Sequence, residues 1–98
     1  MGWYLDGQVS AVMGTHTHVQ TADERLLPKG TAYITDAGMT GPTDSVIGLD
    51  IDVAIKRFTV GIPEHYKIAT SNNRFNGIVV AIESDSGNAQ TITRLNLP

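Results

Sequence analysis

The sequence predicts a mixed α and β domain (α+β or α/β), built mostly from strands, with one main helix and a C-terminal hairpin. Three observations support this class. Val, Ile and Thr account for 28 of the 98 residues, and β-branched side chains favour strands. Only residues 51–60 place apolar residues convincingly at helical spacing. Two apolar segments near the C-terminus flank residues 84–88, which are turn formers. The length allows one small domain, 1–98.

Charge and composition exclude several classes of protein. Seven basic and ten acidic residues give a net charge of −3, so no basic surface is expected for duplex nucleic acid or for an anionic membrane. The longest purely apolar run has five residues, which is too short to span a membrane. The chain has no cysteine, which excludes disulfides and thiolate zinc sites. The first residues do not resemble a signal peptide, so we expect a cytoplasmic protein.

The N-terminal half predicts two strands. Residues 8–14 form an apolar run between two glycines, with little alternation, as in a strand that is buried on both faces. Residues 31–36 form the second strand, after a turn over residues 27–30. Between them, Thr21 and Glu24 have the spacing of a capping box, which predicts one helical turn that Pro28 would cut short.

The main helix is predicted over residues 51–60. Asp50 or Asp52 can cap its first amides, and Gly61 followed by Pro63 ends it. Lys56 and Arg57 are expected in solvent near its C-terminal end. One apolar stripe runs along the helix, formed by Ile51, Ala54, Ile55 and Phe58.

The C-terminal third predicts strands. Residues 66–69 form a short one, and residues 77–83 and 89–95 form a hairpin around the turn at 84–88. Asn72 and Asn73 are expected in a loop.

Two of the predicted strands lack cover. Residues 9–13 and 78–82 are apolar on both faces, and one ten-residue helix cannot cover two faces of a sheet. We therefore expect the sheet to lack a partner and the chain to form a homo-oligomer, most simply a twofold dimer.

The strongest chemical signal is the pair His16 and His18, which follows the first predicted strand. Residues two apart in an extended segment project to the same side, so the two imidazoles are suited to zinc, manganese or iron. Two surface histidines on a loop are the alternative interpretation.

A second candidate is the loop that begins at Asp36. Gly38 and Gly41 make its backbone flexible enough for its amides to bind a phosphate. The simpler interpretation is a turn capped by Asp36. Asp36 is also a possible metal ligand or a partner that holds an imidazole. His65 is interpreted as a surface histidine. Solvent-exposed carboxylates are expected at Asp23 and Glu24, and helix-end packing at Trp3 and Tyr4.

Residues 14–25 read Gly-Thr-His-Thr-His-Val-Gln-Thr-Ala-Asp-Glu-Arg, and residues 27–41 begin Leu-Pro-Lys-Gly-Thr-Ala-Tyr-Ile-Thr-Asp-Ala-Gly. Together they resemble the C-terminal part of the bacterial YmdB-like metallophosphoesterases, calcineurin-type enzymes described as 2′,3′-cyclic-nucleotide 2′-phosphodiesterases. The resemblance implies part of a metallo-dependent phosphatase-like αββα sandwich. It also implies that His16 and His18 are the last two ligands of a site for two divalent ions (Fe, Mn or Zn), one on each ion.

The first hypothesis is therefore part of a metal-dependent phosphodiesterase, with a substrate such as a 2′,3′-cyclic nucleotide. The family's remaining ligands and its catalytic histidine lie in an N-terminal region without counterpart here, so we expect the chain alone to be inactive. The second hypothesis is a noncatalytic oligomerising or binding module. A third, a complete small metal-binding protein, has few ligands to support it.

Overall fold

Two three-stranded sheets organise the protein, in a computed structural model that describes residues 1–62 and 65–98. The first sheet contains β1 (Ala11–Met13), β2 (Arg25–Leu26) and β3 (Ala32–Ile34), in the order β1-β3-β2. Strand β1 runs parallel to β3, and β2 runs antiparallel to it. The two predicted strands are confirmed, but both are shorter than the predicted ranges, and β2 was not predicted.

The second sheet is antiparallel and contains the predicted hairpin. It consists of β4 (Gly41–Pro42), β5 (Asn73–Ile82) and β6 (Ala89–Leu97), in the order β4-β5-β6. The hairpin strands pair from Phe75↔Leu97 to Ile82↔Ala89, with one irregularity at the turn end of β5. Both strands are longer than predicted. Asn73 therefore begins a strand instead of lying in a loop, because Pro42 of β4 pairs with it.

The main helix has the predicted bounds. Besides a short α1 (Gly2–Leu5), the structure contains α2 (Ile51–Val60). The Asp50 carboxylate accepts hydrogen bonds from the amides of Asp52 and Val53, at 3.1 and 3.2 Å. Gly61 ends the helix in the left-handed conformation, with φ 70°. Asp50 is thus the N-cap, as one of the two predicted alternatives, while Pro63 lies outside the described residues.

Two predicted elements are wrong. Residues 21–24 form no helical turn, because the Thr21 hydroxyl and amide are engaged with Asp23 and with the backbone of Asp36. Residues 66–69 form no strand, because only Ile68 makes a bridge, to Leu49.

Arg57 was expected in solvent, but its guanidinium lies 4.3 Å from the centre of the Tyr66 ring and stacks on it.

The core of the chain is small. Its buried apolar residues are Leu27, Ala32, Ile34, Ala54, Ala69 and Ala89. The described residues extend over 54 × 28 × 17 Å, with a radius of gyration of 17.2 Å. A compact domain of this length has a radius of gyration of about 13 Å. The chain is therefore elongated, and much apolar surface stays outside its core.

The uncovered surface includes the strands predicted to need a partner. Met13 in β1 and Val79 in β5 are 54% and 52% exposed, and Phe58 on α2 is 84% exposed. Trp3 is also exposed, so the expected helix-end packing is wrong; the Arg25 guanidinium stacks over its ring at 5.2 Å. No helix in the described part of the chain is long and apolar enough to span a membrane.

Candidate metal-ligand loop

The two histidines lie on an irregular loop that directly follows β1. Gly14 begins this loop and donates its amide to the Ile34 carbonyl at 3.2 Å, while Ala37 donates to the Gly14 carbonyl at 2.9 Å. A side chain at Gly14 would overlap the carbonyl oxygen of Thr35, so the close approach requires glycine. Because β1 and β3 are parallel, the loops after both strands meet at the same edge of the sheet.

Asp36, at the end of β3, holds the histidine loop through its backbone. The side chain is buried, and its Oδ2 accepts hydrogen bonds from the amides of His16 and Thr17, at 2.8 and 2.6 Å, and from the Thr17 hydroxyl at 2.8 Å. Its Oδ1 accepts from the Gly38 amide at 2.8 Å. Hydrogen bonds from Gly38 and Thr17 lower the pKa of Asp36 to about 2, so the carboxylate stays ionised.

This geometry decides between the interpretations of the Asp36 loop. Asp36 caps the turn, as the simpler interpretation predicted, and the Gly38 amide is directed at its carboxylate instead of being free for a phosphate. Both carboxylate oxygens accept hydrogen bonds from the chain, so Asp36 positions the loop. It bonds the His16 main chain, so the expectation that it holds an imidazole is wrong.

Gln20 anchors the other end of the histidine loop to the second sheet. Its side-chain amide donates to the carbonyls of Ala37, Gly77 and Leu95, at 3.2, 3.2 and 3.0 Å. Gly77 and Leu95 are paired residues of β5 and β6. One side chain therefore ties the loop to the Asp36 turn and to the hairpin, a role that the sequence analysis missed.

The His18 ring is held in one tautomer. Its Nδ1 lies 3.0 Å from the Ile47 carbonyl oxygen. Because a carbonyl only accepts, Nδ1 carries the proton, and the lone pair of Nε2 is left for a ligand. Metal-binding histidines commonly have this arrangement, with a backbone carbonyl behind the ring.

Both His16 and His18 are exposed and remain the candidate ligands. The extended geometry assumed for the pair is wrong at His18, which has φ 65°, so residue spacing alone does not place the two rings on one side. The described residues contain no group of three or more His, Cys, Asp or Glu that could hold a metal ion. Each imidazole offers one nitrogen, and the pair stays a predicted part of a metal site.

The carbonyl that holds His18 belongs to a tight turn at residues 46–49. Val46 and Leu49 exchange two hydrogen bonds of 3.0 Å, and the central residues Ile47 and Gly48 have φ 51° and 97°. Positive φ at both central positions is the pattern of a type I′ turn, which favours Asn-Gly. A β-branched residue in this conformation is strained. This turn was not predicted from the sequence, although Gly48 is a signal for it.

A cleft of about 240 Å³ adjoins the His18 ring. Its wall includes Ile47, Met39, Asn76, Arg94 and Asn96. Arg94 is oriented by an ion pair in which its Nε lies 2.7 Å from Glu24 Oε2, so Glu24 is paired instead of simply solvated.

Among the described residues, neither His65 nor Asp23 is hydrogen-bonded to His16 or His18. His65 is exposed, as expected, and no described contact involves its ring. Asp23 accepts hydrogen bonds from the hydroxyls of Thr21 and Thr35, which lower the pKa of its carboxyl group. Its role is therefore structural, between the first two loops of the chain.

The family model described as "YmdB-like protein" matches residues 1–95. The chain belongs to the YmdB-like family. The resemblance drawn from residues 14–41 is therefore confirmed across nearly all of the sequence.

Curated relatives of this YmdB-like chain carry phosphodiesterase names. The chain is 52% identical over 95 residues to a Bacillus subtilis protein named 2′,3′-cyclic-nucleotide 2′-phosphodiesterase. The aligned region covers 97% of this chain and 36% of that protein. It is 44% identical over 80 residues to a Mycoplasma pneumoniae protein named putative phosphatase/phosphodiesterase, covering 81% of the chain and 28% of the relative. The chain thus spans about a third of the length of these relatives.

Solved structures agree with the fold. A crystal structure of a novel phosphatase from Mycoplasma pneumoniae has a TM-score of 0.93 at 36% identity, covering 98% of this chain and 34% of that one. A crystal structure of a hypothetical protein from Thermus thermophilus has a TM-score of 0.88 at 41% identity, covering 99% of this chain and 38% of that one. The mixed α and β class, part of a phosphatase-like fold, is confirmed.

Proposed function

We propose that this YmdB-like chain provides two metal ligands, His16 and His18, to a metal-dependent phosphodiesterase that acts on 2′,3′-cyclic nucleotides. The observation that carries the proposal is the His18 ring, which lines the cleft; its Nδ1 donates to the Ile47 carbonyl, and its Nε2 has no hydrogen-bond partner among the described residues. The name of the Bacillus subtilis relative supports the substrate class.

The proposed metal centre takes two divalent ions, Fe, Mn or Zn, and each histidine contributes to one of them. Such ions supply Lewis acidity toward a phosphodiester. The chain's own residues position the ligands. The Ile47 carbonyl keeps the proton of His18 on Nδ1, and Asp36 fixes the backbone on which His16 stands. Imidazole binds a metal ion in its neutral form, so these ligands would leave the positive charge of the ions undiminished.

The chain alone is proposed to be inactive. Two histidines cannot complete the coordination of two ions, which each take four or more ligands in enzymes of this kind. Purified 98-residue chain with Mn²⁺ should therefore show no turnover of adenosine 2′,3′-cyclic monophosphate. Metal-dependent turnover that disappears in His16→Ala would contradict this.

A chimera tests the activity directly. Residues 1–95 of this chain replace the matching segment of the Bacillus subtilis relative, and hydrolysis of adenosine 2′,3′-cyclic monophosphate and bound metal are measured. The chimera should be active, and His16→Ala and His18→Ala should each lower activity on the order of 100-fold or more, with less bound metal. His65→Ala, at the third histidine, is the matched control. Full activity and full metal content in both variants would refute the ligand assignment.

The alternative, a noncatalytic oligomerising or binding module, is supported by the exposed apolar residues of β1 and β5. We propose that these strands associate with a second copy when nothing else covers them. The chimera separates the two functions, because a module that only associates would give no metal-dependent hydrolysis.

A further inference from the structure

The cleft beside His18 is lined by both apolar and polar side chains. Met39 and Ile47 contribute apolar surface to its lining, and Arg94 and Asn96 contribute polar groups. The cleft, at about 240 Å³, suits one ring system and is smaller than the pockets that enclose drug-sized ligands, of about 300 Å³ or more. It therefore suits a small ring system that offers both apolar surface and polar atoms.

Ile47 is an unfavourable residue for its own turn. Its backbone has φ 51°, where a β-branched residue is strained, and its side chain is 57% exposed. Asn would fit the same type I′ turn and would leave the main-chain carbonyl for His18 unchanged. Its side chain lines both this cleft and a groove beside α2, and in the cleft it offers an apolar contact to a ligand.

The polar residues of the cleft have unused hydrogen-bonding groups. Arg94 is ion-paired with Glu24 through Nε, and its terminal nitrogens donate no hydrogen bond to any group of residues 1–62 and 65–98. Asn96 accepts from Arg74 through its side-chain oxygen, and its amide nitrogen is likewise without a partner in those ranges. Asn76, which also lines the cleft, has a buried Oδ1 that no described group satisfies.

We propose that this cleft is the nucleobase subsite, in which Met39 and Ile47 contact the face of the base and Arg94 and Asn96 bind acceptors on its edge. The inference rests on the proposed function for the placement of the cyclic phosphate, which then lies toward His18. The recognised chemistry is a planar heteroaromatic ring with ring nitrogens or carbonyl oxygens as acceptors. Ile47 and Arg94 would be the residues that determine affinity for the base.

Nucleosides test the subsite without metal or phosphate. The ¹⁵N-labelled 98-residue chain is titrated with adenosine and with uridine, and ribose is the control ligand. At least one nucleoside should shift the signals of Ile47, Asn76 and Arg94, and ribose at the same concentration should not. Ile47→Asn and Arg94→Met should each weaken that binding at least fivefold.

Stability measurements distinguish ligand contact from a structural role. Ile47→Asn should leave the thermal midpoint unchanged or raise it, because the turn gains its preferred residue. Ile55→Asn, at an exposed position of α2 that does not line the cleft, is the matched control and should bind nucleoside normally. Arg94→Met serves as the second variant because its long apolar stem preserves packing while the guanidinium is lost.

The outcomes separate this inference from the proposed function. If neither nucleoside binds, if ribose binds equally well, or if Ile47→Asn and Arg94→Met bind as the unaltered chain does, the subsite is wrong even when the chimera hydrolyses cyclic nucleotide. If the nucleoside binds as described and the chimera is inactive, the subsite stands and the phosphodiesterase assignment fails.

Discussion

Replacement of Gln20 by Glu tests how strongly the histidine loop is anchored. The Gln20 amide donates to three main-chain carbonyls at 3.0–3.2 Å, all on half-buried residues. Glutamate has nearly the same shape, but its ionised carboxylate has no hydrogen to donate. At neutral pH the substitution therefore turns three attractive contacts into three repulsive ones without creating a cavity.

The expected loss of stability follows from these contacts. An amide nitrogen has two hydrogens, and each net hydrogen bond contributes about 0.5–1.5 kcal/mol. The carbonyls that lose their donor stay half-buried and unpaired, which adds roughly 1 kcal/mol or more to the loss of stability. Gln20→Glu should thus lower the free energy of unfolding by about 2–4 kcal/mol at pH 7, a large share of the 5–15 kcal/mol typical of domains.

The same variant makes a prediction about pH. In the folded state only the protonated acid can donate to the carbonyls, so its pKa is raised above the unfolded value of about 4.3. The stabilising contribution of the proton is full below pH 4 and is lost as pH rises through the raised pKa. Urea unfolding followed by circular dichroism should show the deficit at pH 7 and much of it recovered at pH 4.

Gln90→Glu is the matched control, because Gln90 is exposed on β6 and makes no described side-chain hydrogen bond. It should change stability by less than about 0.5 kcal/mol at either pH. Equal stability of Gln20→Glu and the unaltered chain at pH 7 would refute the anchoring role. So would a deficit that is the same at pH 4 and pH 7.

Three further predictions concern the same region and the exposed strands. Gly14→Ala should cost about 2–3 kcal/mol in urea unfolding, because the new methyl group meets the Thr35 carbonyl and displaces the hydrogen bonds at Gly14; an unchanged midpoint would contradict it. The pKa of Asp36 is lowered from 3.8 to about 2, so the ionised carboxylate should stabilise the fold fully above pH 4 and lose this effect as pH falls toward 2. The difference in unfolding free energy between the unaltered chain and Asp36→Asn should therefore shrink over that range. A constant difference would exclude this contribution. The exposed strands should make the chain a dimer or larger homo-oligomer, with Met13 or Val79 in the contact. Sedimentation at micromolar concentration should show this assembly, and a compact folded monomer would disprove it.

Elements defined by neighbouring residues were predictable from sequence. The bounds of α2 follow from an N-cap at Asp50 and a left-handed glycine at Gly61, both of which act within one turn of the chain. The hairpin follows from its turn residues in the same way. The predicted turn at residues 21–24 failed because Thr21 bonds to Asp36, fifteen residues away, and no local pattern reports such a partner.

The residues of the candidate site also differ in whether a local sequence pattern identifies them. His16 and His18 stand out in the sequence, because their residue type and their resemblance to the family are visible in one short segment. The anchoring roles of Gln20 and Ile47 are not visible there. Gln20 reaches carbonyls 57 and 75 residues away, and Ile47 acts through a main-chain oxygen that any residue would supply.

The three anchors of the histidine loop differ in how substitution can affect them. Asp36 and Gln20 act through side chains, so changing either one releases the loop from one of the sheets. The hydrogen bond to His18 comes from the Ile47 main chain, and side-chain replacement there leaves the ring's tautomer unchanged. Loss of groups that orient a metal ligand typically lowers affinity about 10–100-fold. Metal affinity in the chimera should therefore fall in Asp36→Asn and Gln20→Glu but hold in Ile47→Asn, whereas an equal loss in all three would mean that the turn at residues 46–49 acts through its side chain.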